Sequence, residues 1–350
     1  MKSLIVGSMD YSAGKTSLII GLARSMGKPF DYIKPLGDRL VYRKKRIWDY
    51  DAALMTNIFS LGRDPENMTM GFEHLKMRFK YDEEGAKNRV AAMVAEAGTG
   101  KDIIFVEGGK SIEYGVSFHL NAFSLAKYLG GKLVIVVSGD ENYIVDNVIF
   151  IKKYLDIRDL HFGGVIINKV RNIDDFNNVY VPIIKGVGID ILGVIPYIEQ
   201  LTFFSMEYLS QYLLARVVAG ESWLERRVHN VFVGAASIDS TCSDERFRRE
   251  HNLLITSGDR SDMLLAAFEE GSTAAVVVTN NILPPQNILA KADEKKIPVL
   301  LVPFGVYEAA KQIEALTPLI TSKNTAEIDL MAKMVGEHVN VGAILKDLSV

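Results

Sequence analysis

Cysteine is almost missing from this 350-residue sequence: Cys242 stands alone, without a partner for an intrachain disulfide or a neighbouring Cys or His at metal-ligand spacing. That excludes a disulfide scaffold and a thiolate metal site, and it fits a reducing compartment. Long apolar runs are missing as well. None nears the roughly 20 residues of a membrane-spanning helix. The strand-like start at 3–6 meets Gly7 without the basic region, apolar stretch and cleavage site of a secretory signal. The expectation is a cytoplasmic protein with no membrane association. Charge of one sign is also missing, since 40 Lys and Arg face 43 Asp and Glu for a net charge of −3, which gives no general electrostatic reason to bind nucleic acid. The local exception is Arg43, Lys44, Lys45 and Arg46, which suit either an anionic substrate or acidic partner, or a merely solvated loop. His119 has no second ligand at metal spacing and reads as a surface or packing histidine.

What is present is a core-forming composition, 48% apolar, in a chain long enough for two domains. Short apolar runs at 4–6, 30–34, 103–107, 133–138, 165–168 and 191–195 alternate with helical patterns at 16–26, 52–61, 85–97, 120–129, 142–155 and 206–218. Strands this uniformly apolar are buried on both faces, so the expectation is a doubly wound α/β domain on a mostly parallel sheet, over residues 1–220. After the polar stretch at 219–228 the alternation restarts, with strands at 231–234, 253–256, 275–279 and 299–302 and helices at 261–269, 285–292 and 306–316. This predicts a second, smaller α/β domain over 228–350. The segment TFFSMEYLSQYLLA fits a buried helix face or a domain or dimer interface.

The first strand ends at Gly7, and GSMDYSAGKTSLIIGLA leads directly into an apolar-periodic helix. Strand, loop, GKT and helix in that order make a P-loop: backbone amides wrap phosphates, Lys15 reaches the terminal ones, and the Thr16 hydroxyl can ligate magnesium. Met9 replaces the glycine of the usual spacing, so the loop is longer than standard, and an ordinary strand-to-helix turn is the alternative. Such a loop needs carboxylates for the metal. Glu107 ends the strand DIIFVEGG, at the strand edge where open α/β sheets bind ligands, while Asp49 and Asp51 precede a helix and serve equally well as caps. Lys34, before Pro35 and Gly37, either aims a second ammonium at the crevice or is an exposed strand-end lysine. Asn168 ends GGVIINKV, where an amide could read a base edge. Arg171 stands where a guanine-reading NKxD motif has its aspartate, so ATP is expected rather than GTP.

The extended loop ending SAGKTS, the KPLG after strand two, WDYDAAL, the VEGG strand end, and INKV followed by LGVIPY together resemble dethiobiotin synthetase and its relatives, the cobyrinic acid diamide synthases and the amino-terminal domain of long phosphotransacetylases. The resemblance covers about the first 215 residues. It implies nucleotide phosphates at Gly14, Lys15, Thr16 and Ser17, with Asp10, Ser12 and Ala13 in the cofactor loop. It further implies magnesium at Thr16, Asp51 and Glu107, catalytic roles for Lys15, Lys34 and Glu107, adenine at Asn168 with Pro196 against the base, and a homodimer. The family activates a carboxylate-type substrate by phosphoryl transfer. Ser12 replaces an acidic residue of the synthetases, and EGGKS, with Lys110, replaces their EGAGG. The later LLITSGDRSDMLLAAFEEG resembles a DRTGG domain, retaining Gly258, Asp259 and Arg260. Asp259 and Arg260 form either a ligand loop or a cap beside a solvated arginine. Two functions stay open: an ATP-dependent ligase or ATPase acting on a small carboxylated metabolite, and a nucleotide-responsive regulatory or partner-binding module without acetyltransferase activity.

Overall fold

The computed structural model describes residues 2–43, 46–269, 272–346 and 348. The chain forms two compact units, Met1–Ile198 with Ile320–Val350, and Glu199–Leu319. In the first, six strands make one sheet: β1 (Lys2–Ser8), β2 (Phe30–Ile33), β3 (Ile103–Glu107), β4 (Lys132–Val137), β5 (Phe162–Val170) and β6 (Ile191–Pro196). Their order is β2-β3-β1-β4-β5-β6, and every neighbouring pair is parallel. The apolar runs explain this. β3 and β4 are buried at every position, which requires cover on both faces. The chain winds from β1 outward to β2, back to β3, then across to β4, so the order reverses around β1, and the carboxyl edge there is the crevice where such sheets bind ligands.

The helices start where short polar side chains take up free backbone amides. Asp49 caps α2 (Tyr50–Phe59), Asp82 caps α3 (Glu83–Ala97), Asn121 caps α4 (Ala122–Leu129) and Asp140 caps α5 (Glu141–Tyr154). The helix that follows β1, α1 (Lys15–Met26), has no side-chain cap. Arg43 and Arg46 belong to an antiparallel hairpin, Leu40–Arg43 with Arg46–Asp49, rather than to a loop. Lys44 and Lys45 lie outside the described residues. Arg46 is turned to Asp64 (2.8 Å) and Glu66 (3.2 Å).

The division into units departs from the expected boundary, because residues after 319 rejoin the first unit. The helix Thr325–His338 packs along α1, and Gly21 makes room for it: a Cβ there would lie 2.4 Å from Val335 Cγ2 and 2.9 Å from the Met331 carbonyl oxygen. The Ser25 hydroxyl, which donates to the Gly21 carbonyl, also reaches that of Ala332 (3.4 Å). The buried Lys132 ammonium donates to the carbonyls of Ala343 (2.8 Å) and Ile344 (3.2 Å), capping the helix Val341–Lys346. Gly21→Ala is therefore expected to destabilise the first unit by about 1–3 kcal/mol, the usual cost of overpacking, read as a lower denaturation midpoint. An unchanged midpoint would show that the contact between the two helices is loose.

The second unit holds a five-stranded sheet of β7 (Arg216–Ala219), β8 (Asn230–Val233), β9 (Asn252–Ser257), β10 (Thr273–Thr279) and β11 (Val299–Leu301), in the order β7-β11-β10-β9-β8. Residues 216–218, expected to end a helix, instead run in β7, antiparallel to β11. The helix Met206–Tyr212 stops earlier because Leu214 adopts a left-handed conformation (φ 48°), and the β-branched Val217 and Val218 then suit a strand. Met206 and Leu209 are buried, so the aromatic segment supplies a core face. Cys242 is a free thiol packed on the apolar core. Gly258 is required by close approach, since a Cβ would lie 1.7 Å from the Ile282 carbonyl oxygen. Arg260 is held by Asp262 (2.9 Å) and the Ala236 carbonyl (3.1 Å), while Asp259 is exposed.

Candidate functional site

The loop between β1 and α1 runs along the carboxyl edge of the sheet. Gly14 takes φ 103°, and a Cβ on it would lie 2.3 Å from Asn168 Nδ2, so the loop needs glycine for both conformation and space. Ser12 is also left-handed (φ 59°). The end of β5 clamps this loop from the side. The Asn168 amide donates to the Ala13 carbonyl (2.8 Å), and the Lys169 ammonium donates to the Ser12 carbonyl (2.7 Å). Burial, with help from Arg39, pulls the Lys169 ammonium below the usual lysine range. Asp10 accepts from the Tyr143 hydroxyl (2.9 Å) through one oxygen, and its other is buried without a partner among the described residues. Ser17 lies in the first turn of α1. The residue before α1 is Gly14, which has no side chain to cap the first amides, as an anion-receiving helix start requires.

Lys15 opens α1 and is only 6% exposed. Its ammonium donates to Ser8 Oγ (2.8 Å) and to the Lys110 carbonyl (3.3 Å). Burial lowers its pKa, against the pull of Glu107. Next in sequence, the Thr16 hydroxyl donates to Glu107 Oε1 (3.0 Å), and the Tyr32 hydroxyl donates to Oε2 (2.8 Å). Burial lifts Glu107 above the usual carboxyl range despite Lys34, and lifts Tyr32, beside Glu107, well above the phenol range.

Lys34 is not an exposed strand-end lysine. At 1% exposure it sits among four carboxylates, donating to Asp38 (2.7 Å) and Asp51, with Glu107 at 3.7 Å and Asp49 at 3.8 Å. Burial alone would lower its pKa, but Asp51, Asp49, Glu107 and Asp38 outweigh it and hold the ammonium well above the lysine range. The two aspartates divide the roles that sequence left open. Asp49 is the cap, accepting from the amides of Asp51 (2.9 Å) and Ala52 (3.2 Å) with one oxygen and from those of Asp38 (3.1 Å) and Arg39 (3.4 Å) with the other. Asp51 faces Lys34, with Arg39 at 3.8 Å. Burial pushes Asp49 up to about 7 in spite of Lys34, whereas Lys34 and Arg39 overcome burial and keep Asp51 below the usual range.

Asp38, Asp49 and Asp51 each offer an oxygen within 4.8 Å of the others. Asp38, Asp49, Asp51 and Glu107 all lie within 4 Å of the Lys34 ammonium, a set of hard oxygen donors that suits a divalent cation. The geometry thus gathers Lys15, Thr16, Lys34, Asp51 and Glu107 from four separate segments. It adds Ser8, Tyr32 and Asp38, which sequence reasoning missed; the KPLGD turn, placing Asp38 four residues after Lys34, was the available signal for the last. Pro196 pairs in register with Val170 on the neighbouring strand, and Arg171 lies over the Tyr197 ring at 4.7 Å.

Comparison with known proteins follows the same division. Residues 2–204 match the AAA domain profile, whose P-loop is of the dethiobiotin synthetase type, and residues 208–316 match the DRTGG domain. A phosphate acetyltransferase of Pseudomonas putida is 23% identical over 97% of this chain and 51% of its own length. That of Pseudomonas aeruginosa is 22% identical, again over 97% and 51%. The chain therefore spans about half the length of these relatives. Among solved structures, the CBS and DRTGG domains of the regulatory region of Clostridium perfringens pyrophosphatase, complexed with the activator diadenosine tetraphosphate, are 21% identical over 33% of this chain and 47% of that one, with a TM-score of 0.29. Among the described residues, no helix is long and apolar enough to cross a membrane.

Proposed function

The chain belongs to the AAA domain family, and from that premise we propose that its first unit binds ATP with magnesium and moves the terminal phosphoryl group, either to water or to a small carboxylated substrate. The observation that carries this reading is the Thr16 hydroxyl donating to buried Glu107 while Lys15 and Lys34 stand in the same enclosed cluster. In this reading the loop amides and the start of α1 hold the phosphates. Lys15 exchanges its contacts with Ser8 and the Lys110 carbonyl for phosphate oxygens, charged partners that favour the ammonium form against burial. Thr16, Asp51 and Glu107 hold magnesium, which supplies charge neutralisation on the phosphates when bound. Lys34 balances the carboxylates and offers a second ammonium to charge in transit. Asn168 and Lys169 fix the loop from behind, and Asn168 with Pro196 borders the base.

Purified protein should hydrolyse ATP with magnesium, and a panel of small amines and carboxylic acids would reveal the acceptor as a rate increase with one compound. Glu107→Gln keeps the size of the side chain and an acceptor for Thr16 but removes the charge. Magnesium-dependent hydrolysis is expected to fall about tenfold or more, by the loss of a charge-assisted contact. An unchanged rate would leave Glu107 a structural residue.

A nucleotide-responsive regulatory module is the second reading, and one feature favours it. The chain re-enters the first unit at Ile320, whose carbonyl accepts from the Tyr50 hydroxyl (2.9 Å), and Tyr50 lies between Asp49 and Asp51. Tight ATP binding with negligible turnover under every condition would favour this reading. A cytoplasmic homodimer belongs to the same proposal, and light scattering of the purified chain tests the dimer.

A further inference from the structure

The rim of the phosphate site carries two cations that the reading above does not use. Lys110 follows the VEGG strand end, and its carbonyl already receives the Lys15 ammonium (3.3 Å), so its side chain is rooted beside the terminal-phosphate position. The Lys110 ammonium lies 5.5 Å from the ring centres of both Tyr11 and Tyr114. Tyr114 is fixed in turn by the His74 ring, edge-on at 4.5 Å. The Arg39 guanidinium lies 5.4 Å from the same Tyr11 ring, and its Nε donates to the Tyr11 hydroxyl (3.3 Å). Tyr11, itself part of the phosphate loop, is 48% exposed and so faces solvent with a cation on each of these two approaches.

Ring faces hold cations without using up their N–H donors. No carboxylate pairs with Lys110 among the described residues, and Arg39 has Asp51 at 3.8 Å, an acid that it shares with Lys34. Both cations border the one exposed ring of Tyr11, and an ammonium together with a planar guanidinium suits the oxygens of a carboxylate or a phosphate. We infer that the rim of the loop carries a second oxyanion site, in which Lys110 and Arg39 hold the carboxylate or phosphate group of a small molecule against Tyr11, next to the phosphate position of Lys15. This deepens the proposed function, on whose phosphate position it rests, by giving the acceptor or effector its charge and its anchoring residues. It also gives a reason for lysine in EGGKS.

The test titrates the full chain with inorganic phosphate and, separately, with succinate, with and without the magnesium complex of a non-hydrolysable ATP analogue. Nucleotide affinity is measured independently with a fluorescent ATP analogue. One of the two oxyanions is expected to bind, and which one does separates a phosphate from a carboxylate ligand. Lys110→Ala, which keeps the carbonyl that meets Lys15, should weaken that oxyanion about tenfold or more while nucleotide affinity is unchanged, and Lys110→Arg should restore most of the binding. The inference is overturned if neither oxyanion binds the unaltered chain, if Lys110→Ala binds it as tightly, or if the variant loses nucleotide affinity to the same degree, because Lys110 would then serve the nucleotide itself. Oxyanion binding that depends on Lys110 in a chain that binds no nucleotide would uphold this site and remove the ATP reading instead.

Discussion

Lys34→Ala is expected to cost the first unit about 3–5 kcal/mol, the scale for breaking a buried ion pair and leaving charge uncompensated. The reason is local charge balance. Lys34 is the ammonium within 4 Å of Asp38, Asp49, Asp51 and Glu107, and all five groups are almost completely removed from water. Without it the carboxylates face one another across a medium that screens poorly. The sign of the pH dependence follows. With the lysine gone, the folded state holds these acids above their unfolded pKa values, so the folded chain binds more protons than the unfolded one. Stability in the variant should therefore recover as pH falls and decline as pH rises through the elevated folded values. In the unaltered protein Asp51 contributes in the opposite sense, because its depressed pKa stabilises the fold above the unfolded value and is lost in acid. Denaturant titrations between pH 5 and pH 8, the range that brackets Asp49 at about 7, read the dependence of the variant, and extending those of the unaltered chain below the ordinary aspartate value of 3.8 reads that of Asp51. A variant as stable as the parent at neutral pH would mean that the carboxylates are neutralised by some other route.

Lys15→Ala is the second large effect, and it should separate binding from folding. The Lys15 ammonium has only the Ser8 hydroxyl and the Lys110 carbonyl as hydrogen-bond partners among the described residues, both of them neutral groups. Truncation leaves no buried carboxylate directly unpaired, so the fold should survive with a small loss. Nucleotide affinity should drop by about two orders of magnitude or more, since contacts to a phosphate from a charged donor are each worth about 1.5–3 kcal/mol, and 1.4 kcal/mol is a factor of ten. Calorimetric titration with ATP and magnesium, alongside the circular dichroism spectrum, measures both quantities. Undiminished affinity in a folded variant would remove the P-loop assignment.

The two lysines differ in a way that sequence could not express. Both were legible as candidate cations, Lys15 from GKT and Lys34 from its place at a strand end. Only the fold shows that Lys34 is the counter-ion of four acids brought from the KPLGD turn, the WDYD hairpin end and the third sheet strand. The same holds for Asp49 and Asp51. Their spacing allowed either to cap the helix or to face a metal, and the choice rests on which side chain points at the α2 amides and which at the crevice. Asn168 was read for its amide at a strand end, yet that amide is bonded to the phosphate loop through the Ala13 carbonyl.

What the sequence determined by itself was the parallel sheet and the phosphate loop, because both are written in contiguous residues: uniformly apolar runs must be buried on both faces, and a strand, a loop, GKT and an apolar-periodic helix in that order leave few other arrangements. Tertiary structure alone decided the return of Thr325–His338 to α1, the strand status of Arg216–Ala219 and the company of Lys34. Each of these depends on a partner far away in the chain: Val335 against Gly21, Val299–Leu301 beside the strand, and the acids around the ammonium. Local propensity and period carry no information about which distant surface will satisfy a side chain, and a buried charge takes its meaning from those neighbours.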